Sequence, residues 1–252
     1  MSSALPDFRA RFRISEPPFA RRSGRGVRVA VIDSGIRAPH PHVPRVAGGG
    51  RVSVDAARGE VRAANGQFED LIGHGTAVAA AIHEKARDAE LWAVKVFERK
   101  LSTSAPVLSA AIELASSYGA RLINLSLGTG NEEHAALLEK AVCCAAARGS
   151  LVVSALEWNG VRCFPGSLPG VVGVRLDADC ARDEIHVATE GASLVLTASP
   201  FPRPIPGIPL ERNLSGISFA VANAAGFLAR LLEDTDAASL DDLKRGFRSS
   251  LQ

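Results

Sequence analysis

Short apolar runs alternate with stretches of helical spacing through most of the chain. Val27–Ile32 (VRVAVI), Leu91–Phe97 (LWAVKVF), Leu122–Leu127 (LINLSL), Leu151–Ala155 and Val171–Leu176 have the length and aliphatic character of buried strands. Ile185–Ala188 and Leu194–Ala198 predict two shorter ones. Residues 75–86 carry Ala and Val at helical spacing, and Val107–Tyr118 puts Leu108, Ala111, Ile112 and Ala115 on one face. Glu133–Arg148 is an Ala-rich helix stopped by Gly149, and Ser218–Glu233 predicts the last strong helix. Near-continuous apolar strands separated by helices predict an α/β fold, a mostly parallel sheet covered by helices on both faces. Five prolines make residues 199–213 a loop, because proline neither donates to a ladder nor continues a helix. Residues 44–68 are rich in Gly and Ala, alternate weakly at Arg51–Val54, and read as an excursion that a hairpin would suit. The chain has no internal repeat, and it divides into a basic arm, 1–26, and one domain, 27–252.

Composition narrows the class. A chain of 252 residues with 46% hydrophobic and 22% charged residues is globular and long enough for a substantial core. Aromatics are only 5%, so small aliphatic residues must fill that core. The net charge of +2 is too small for a protein-wide nucleic-acid footprint. Arg9, Arg11, Arg13, Arg21, Arg22, Arg25 and Arg28 cluster near the start, opposed only by Asp7 and Glu16. That pattern predicts a solvated, partly disordered arm. Residues 1–26 contain no apolar run of the kind a secretory signal needs, and no stretch has the length of a membrane span. A cytoplasmic protein with no membrane partner is expected. Cys143, Cys144, Cys163 and Cys180 lack CxxC metal spacing and predict reduced thiols rather than a zinc site or a disulfide framework.

Three motifs stand at element boundaries. Val31-Ile32-Asp33-Ser34-Gly35 ends a strand in a carboxylate, where open parallel sheets bind ligands, although an Asp there also suits a helix cap or a metal. Gly73-His74-Gly75-Thr76 opens a helix and leaves an imidazole approachable, although His74 also suits the surface. Leu214-Ser215-Gly216-Ile217-Ser218-Phe219-Ala220 places a serine at a helix start, where it either caps the helix or gains free N–H groups for an oxyanion. Together they follow the order Asp, His, Ser known from one class of triad enzymes. Their flanks, Val-Ile-Asp-Ser-Gly-Ile, Gly-His-Gly-Thr-x-Val-Ala and Gly-x-Ser-x-Ala, resemble the three signatures of the subtilisin-like serine proteases, the subtilases. Ala93-Val94-Lys95-Val96, Ile123-Asn124-Leu125-Ser126-Leu127-Gly128 and Phe164-Pro165-Gly166 extend the resemblance across residues 27–233.

The resemblance implies a serine endopeptidase that needs no cofactor. Asp33 would orient His74, His74 would deprotonate Ser218, and Ser218 would form an acyl-enzyme. Ser126, Leu127 and Gly128 would pair with a peptide or protein substrate bound as an extended strand. Cys163 falls at the floor of the family's specificity pocket. The family's oxyanion asparagine has no plain equivalent: an ungapped match puts Trp158 there, with Asn159 beside it, and Asn159-Gly160 also reads as a turn. Ala77 replaces a second histidine of the family pattern, and Val221-Ala222-Asn223 replaces its Thr/Ser-Pro-His continuation. Residues 82–92 are too short for the family's calcium loop, so no metal is expected there, and no counterpart of the family's large pro-domain is expected. The reading is a protease of narrow specificity, such as one processing a precursor peptide. Two alternatives share these residues: a pseudo-protease that binds peptide with an impaired oxyanion hole, and a transpeptidase or macrocyclase.

Overall fold

The computed structural model describes residues 7–55 and 57–251. Among these residues, twelve strands and five α-helices run β1 Arg9–Arg13, β2 Arg28–Asp33, β3 Gly48–Val54, β4 Val61–Asn65, α1 His74–Lys85, β5 Glu90–Lys95, α2 Ala105–Ser117, β6 Leu122–Leu125, α3 Ala135–Ala147, β7 Leu151–Ala155, β8 Glu157–Trp158, β9 Val161–Arg162, β10 Val171–Leu176, β11 Glu184–Glu190, β12 Ser193–Ala198, α4 Ile217–Leu232 and α5 Leu240–Ser249. Ten strands form one sheet in the order β1-β11-β12-β10-β7-β6-β2-β5-β3-β4, and β8 pairs with β9 apart from it. The central strands, from β12 through to β3, pair in parallel, while both ends of the sheet are antiparallel.

Alternate residues of the central strands feed two cores. Val29 and Val31 pack with α1 and α4 on one face, while Ala30 and Ile32 pack with α2 and α3 on the other. This two-sided burial is why β2, β6 and β7 read as unbroken apolar runs. The expected α/β architecture is observed. Residues 44–68 contain the hairpin of β3 and β4, joined in register from Gly50↔Asn65 to Val54↔Val61.

Residues 7–26 depart from the expected solvated arm; residues 1–6 lie outside the described residues. In β1 the side chains alternate, so Arg9, Arg11 and Arg13 are exposed while Phe12 is buried. β1 pairs antiparallel with β11, placing Phe12 opposite Ile185. Phe19 is fully buried, with ring centroids 5.9 Å from Phe12, 5.1 Å from Phe227 and 6.3 Å from Phe247. The Arg230 guanidinium donates to the Phe19 carbonyl at 2.8 Å, and the Glu233 carboxylate accepts the Gly24 N–H at 2.7 Å. A few apolar residues set between arginines are enough to fold this segment onto α4 and α5.

Candidate active site

Asp33 is the last residue of β2, and its carboxylate is fully buried. His74 is the first residue of α1, so the two groups meet at the carboxyl ends of the parallel strands. The His74 Nδ1 lies 2.8 Å from Asp33 Oδ1. A carboxylate only accepts, so in the neutral ring the proton sits on Nδ1 and Nε2 keeps its lone pair. Burial works to lower the basicity of His74, but the hydrogen bond and charge of Asp33, with the charge of Asp70, outweigh it and raise the pKa. Gly75 is required by this closeness: a Cβ there would lie 2.1 Å from the Gly35 carbonyl oxygen.

A second carboxylate holds the first two motifs together. Asp70 is buried and accepts from the Ser34 hydroxyl at 2.8 Å, from the Ile72 and Gly73 N–H groups at 2.9 and 2.8 Å, and from the Thr76 N–H and hydroxyl at 2.8 and 2.6 Å. The Ser34 hydroxyl in turn accepts the Gly75 N–H at 2.9 Å. Burial pushes the Asp70 carboxyl up, but the Thr76 hydroxyl and these N–H groups hold it below its ordinary range. Asp70 therefore satisfies free donors at the start of α1 and ties that turn to the residue after Asp33. Its spacing four residues before His74 was the only signal for it in the chain, and an exposed loop acid has the same appearance.

Ser218 is the second residue of α4, and its N–H belongs to the helix's unpaired first turn. The α1 and α4 starts are neighbours: the His74 ring centroid is 5.6 Å from that of Phe219. In this structure the Ser218 hydroxyl donates to the Ser126 carbonyl at 3.0 Å, and no hydrogen bond from it to His74 is formed. The Ser126 hydroxyl reaches the Ser218 carbonyl at 3.2 Å, and the buried Asn124 amide donates to that hydroxyl at 2.8 Å. Asn124, missed as a functional residue because it sits inside an apolar strand, thus locks the end of β6 to the start of α4. β6 stops at Leu125, two residues short of the predicted Leu122–Leu127 run, and Ser126-Leu127-Gly128 continue beyond it.

A cavity of about 590 Å³ opens beside Ser218 and brings together Ser126, Gly128, Trp158, Asn159 and Cys163. Asn159 and Gly160 link β8 to β9 with φ of 51° and 76°, the two positive values of a tight hairpin turn. Asn159 is therefore the turn residue that its sequence suggested and also a lining residue of the cavity. Trp158 is 43% exposed at the same rim. Cys163 is buried, and burial together with the Glu157 charge raises its pKa, so it lines the wall as a neutral thiol. All four cysteines are free.

Among the described residues, Cys180, Glu184 and His186 are one group whose ligand atoms lie within 4.8 Å of one another. Glu184 is already paired with Arg11 and, at 2.8 Å, with His186 Nε2. Two acids of the 82–92 segment are engaged too, Glu84 in the last turn of α1 with Arg182 and Glu90 with Arg28. No helix among the described residues is long and apolar enough to cross a membrane.

A profile described as the Subtilase family matches residues 24–156, more than half of the chain. The chain is 31% identical over 224 residues to an alkaline protease of Alkalihalobacillus alcalophilus, covering 84% of this chain but only 53% of that protein. It thus spans about half the length of that relative. It is 29% identical over 237 residues to an intracellular serine protease of Paenibacillus polymyxa, covering 87% of this chain and 71% of the relative. Among solved structures, the prenylagaramide maturation protease PagA superposes with a TM-score of 0.60 at 26% identity, covering 87% of this chain and 78% of that one. With an Asp–His pair at the strand ends, a serine at the neighbouring helix start and these relatives, the chain belongs to the subtilase family of serine proteases.

Proposed function

We propose that the protein is a serine endopeptidase in which Asp33, His74 and Ser218 act as the catalytic triad. The observation that carries this reading is the 2.8 Å bond from His74 Nδ1 to buried Asp33, made beside the α4 start that bears Ser218. His74 Nε2 takes the Ser218 proton, the Ser218 oxygen attacks the scissile carbonyl, and the protonated imidazole returns the proton to the leaving amine. Water then attacks the acyl-enzyme with His74 again as base. The Ser218 N–H faces the developing oxyanion as one donor.

The substrate pairs as an extended strand along Ser126-Leu127-Gly128. Its backbone N–H groups compete with the Ser218 hydroxyl for the Ser126 carbonyl, so substrate binding favours release of that hydroxyl toward His74. Processing of a precursor peptide, by a cytoplasmic enzyme of narrow specificity, is the setting we favour. Support comes from the maturation protease among its structural neighbours and the intracellular protease among its sequence relatives. The decisive experiment is labelling of the folded protein by a fluorophosphonate, with mass spectrometry to place the label. Modification of Ser218 is expected; a folded protein that takes no label overturns the reading in favour of a peptide-binding module.

Two further outcomes follow from the site. Asn159 supplies the second oxyanion donor in this reading, and its positive φ makes glycine the clean replacement. Asn159→Gly should lower kcat by about 10²–10³ with KM little changed. Unchanged kcat in that variant would leave Asn159 only its turn. Activity should also be lost as pH falls, because only neutral His74 accepts the proton. Its raised pKa puts the midpoint of the acid limb of kcat/KM above the ordinary 6.5 of histidine. A midpoint at or below 6.5 would mean that Asp33 does not govern the imidazole.

A further inference from the structure

A second cavity, of about 560 Å³, adjoins the first on the other side of the nucleophile loop. Asn213 and Leu214 line this second cavity, while Ser215, Gly216, Ile217 and Ser218 line the first. The loop 213–218 is therefore the divide between them. The first cavity holds Ser126-Leu127-Gly128 and so, on the function proposed above, the acyl side of the substrate. On that reading, chain leaving Ser218 in the other direction would enter the second cavity, whose wall also includes Gly73, Thr76 and Ala77 along the start of α1.

The chemistry of that cavity is mixed. Arg37, His40, His42 and Arg203 contribute its basic groups. Leu71, Ile205 and Leu214 contribute apolar surface and are 67%, 41% and 54% exposed. Among the described residues the one acid on its wall, Asp70, is buried and consumed by its own hydrogen bonds. Among the described residues, no carboxylate forms an ion pair with Arg37 or Arg203. Arg203 reaches only the His42 carbonyl, at 3.4 Å, and nearby Glu84 is paired with Arg182. Burial and the Arg203 charge lower the pKa of His42, so that imidazole adds little to the charge of the two arginines at neutral pH. Three apolar side chains left in solvent beside two uncompensated guanidinium groups form a surface that lacks its complement.

We propose that this cleft is a subsite for the leaving segment of the substrate and selects one that carries both acidic and apolar residues. The arginines supply charge complementarity and reject a basic segment, while Leu71, Ile205 and Leu214 bury its apolar side chains. This gives the protein a selectivity that strand pairing at Ser126-Leu127-Gly128 cannot supply, because backbone hydrogen bonds read no sequence.

The test uses quenched fluorescent peptides identical before the cleaved bond and differing in the four residues after it: Leu-Asp-Leu-Asp, Leu-Asn-Leu-Asn or Leu-Lys-Leu-Lys. For the wild-type protein, kcat/KM should fall in the order Asp, Asn, Lys, by about tenfold between the extremes, a difference that added salt narrows. Arg37→Glu combined with Arg203→Glu should invert that order. Equal cleavage of the Asp and Lys peptides by wild type overturns the proposal, and that result does not depend on whether the double variant folds. A double variant that folds and slows all three peptides alike also overturns it. Fluorophosphonate labelling separates this failure from failure of the protease reading. Should wild type neither label nor cleave, anisotropy of a fluorescein-tagged Leu-Asp-Leu-Asp peptide against its Lys counterpart decides the cleft by binding alone. Tighter binding of the acidic peptide sustains the cleft's selectivity, and equal binding ends it.

Discussion

Ser218→Ala should lose about 10⁶-fold of turnover while the protein keeps its fold. That magnitude is the one established for subtilisins and is carried over with the family. The fold is expected to survive because the hydroxyl makes one hydrogen bond, to the Ser126 carbonyl, and α4 uses no side-chain cap at its start. Losing one such bond costs about 0.5–1.5 kcal/mol. Peptide binding should persist, because the Ser126 carbonyl is then free for the substrate. Steady-state hydrolysis, fluorophosphonate labelling and thermal melting of the variant together check this. Retained hydrolysis would remove Ser218 from the chemistry, and a collapsed melting transition would mean that its hydroxyl holds the α4 start in place.

Phe19→Ala should destabilise the protein by about 3–5 kcal/mol, although Phe19 lies far outside the catalytic motifs. Its ring is fully buried among Phe12, Phe227 and Phe247. Truncation leaves a cavity in contact with α4, the helix that begins at Ser218's turn. For a chain of this size the melting temperature should fall by roughly 6–20 °C. A change near zero would mean that residues 7–26 are only loosely applied to the domain. Activity per folded molecule should change far less than stability, which distinguishes this variant from Ser218→Ala.

The central sheet was legible because both of its faces are covered. Val29 through Ile32 must all be apolar when alternate residues enter different cores, and such runs are plain in a sequence. β1 was not legible for the opposite reason. Only Phe12 of its five residues is buried, and the arginines on either side give the segment the look of a polar tail. α5 was also missed: its buried residues are Leu243, Lys244 and Phe247, and the charges of Asp241, Asp242, Lys244 and Arg245 give the segment a polar look. Its capping box, Ser239 with Asp242, was a readable start signal. At the site, Asp33, His74 and Ser218 announce themselves because each stands at the end of an element. Asp70 and Asn124 do not, because their importance lies in donors and acceptors that only tertiary structure brings to them.

The arginines of β1 have a consequence for the behaviour of the molecule in a crowd. β1 is the outermost strand at one end of the ten-stranded sheet, and among the described residues no strand pairs with its other side. A second copy adding itself to that side would bring Arg9, Arg11 and Arg13 against a matching set of like charges. Arg11 is partly neutralised by Glu184, but the flanking pair is not matched one for one. The positive charge that reads in the sequence as a solvated arm would thus oppose edge-to-edge growth of the sheet, where an uncharged strand would invite it.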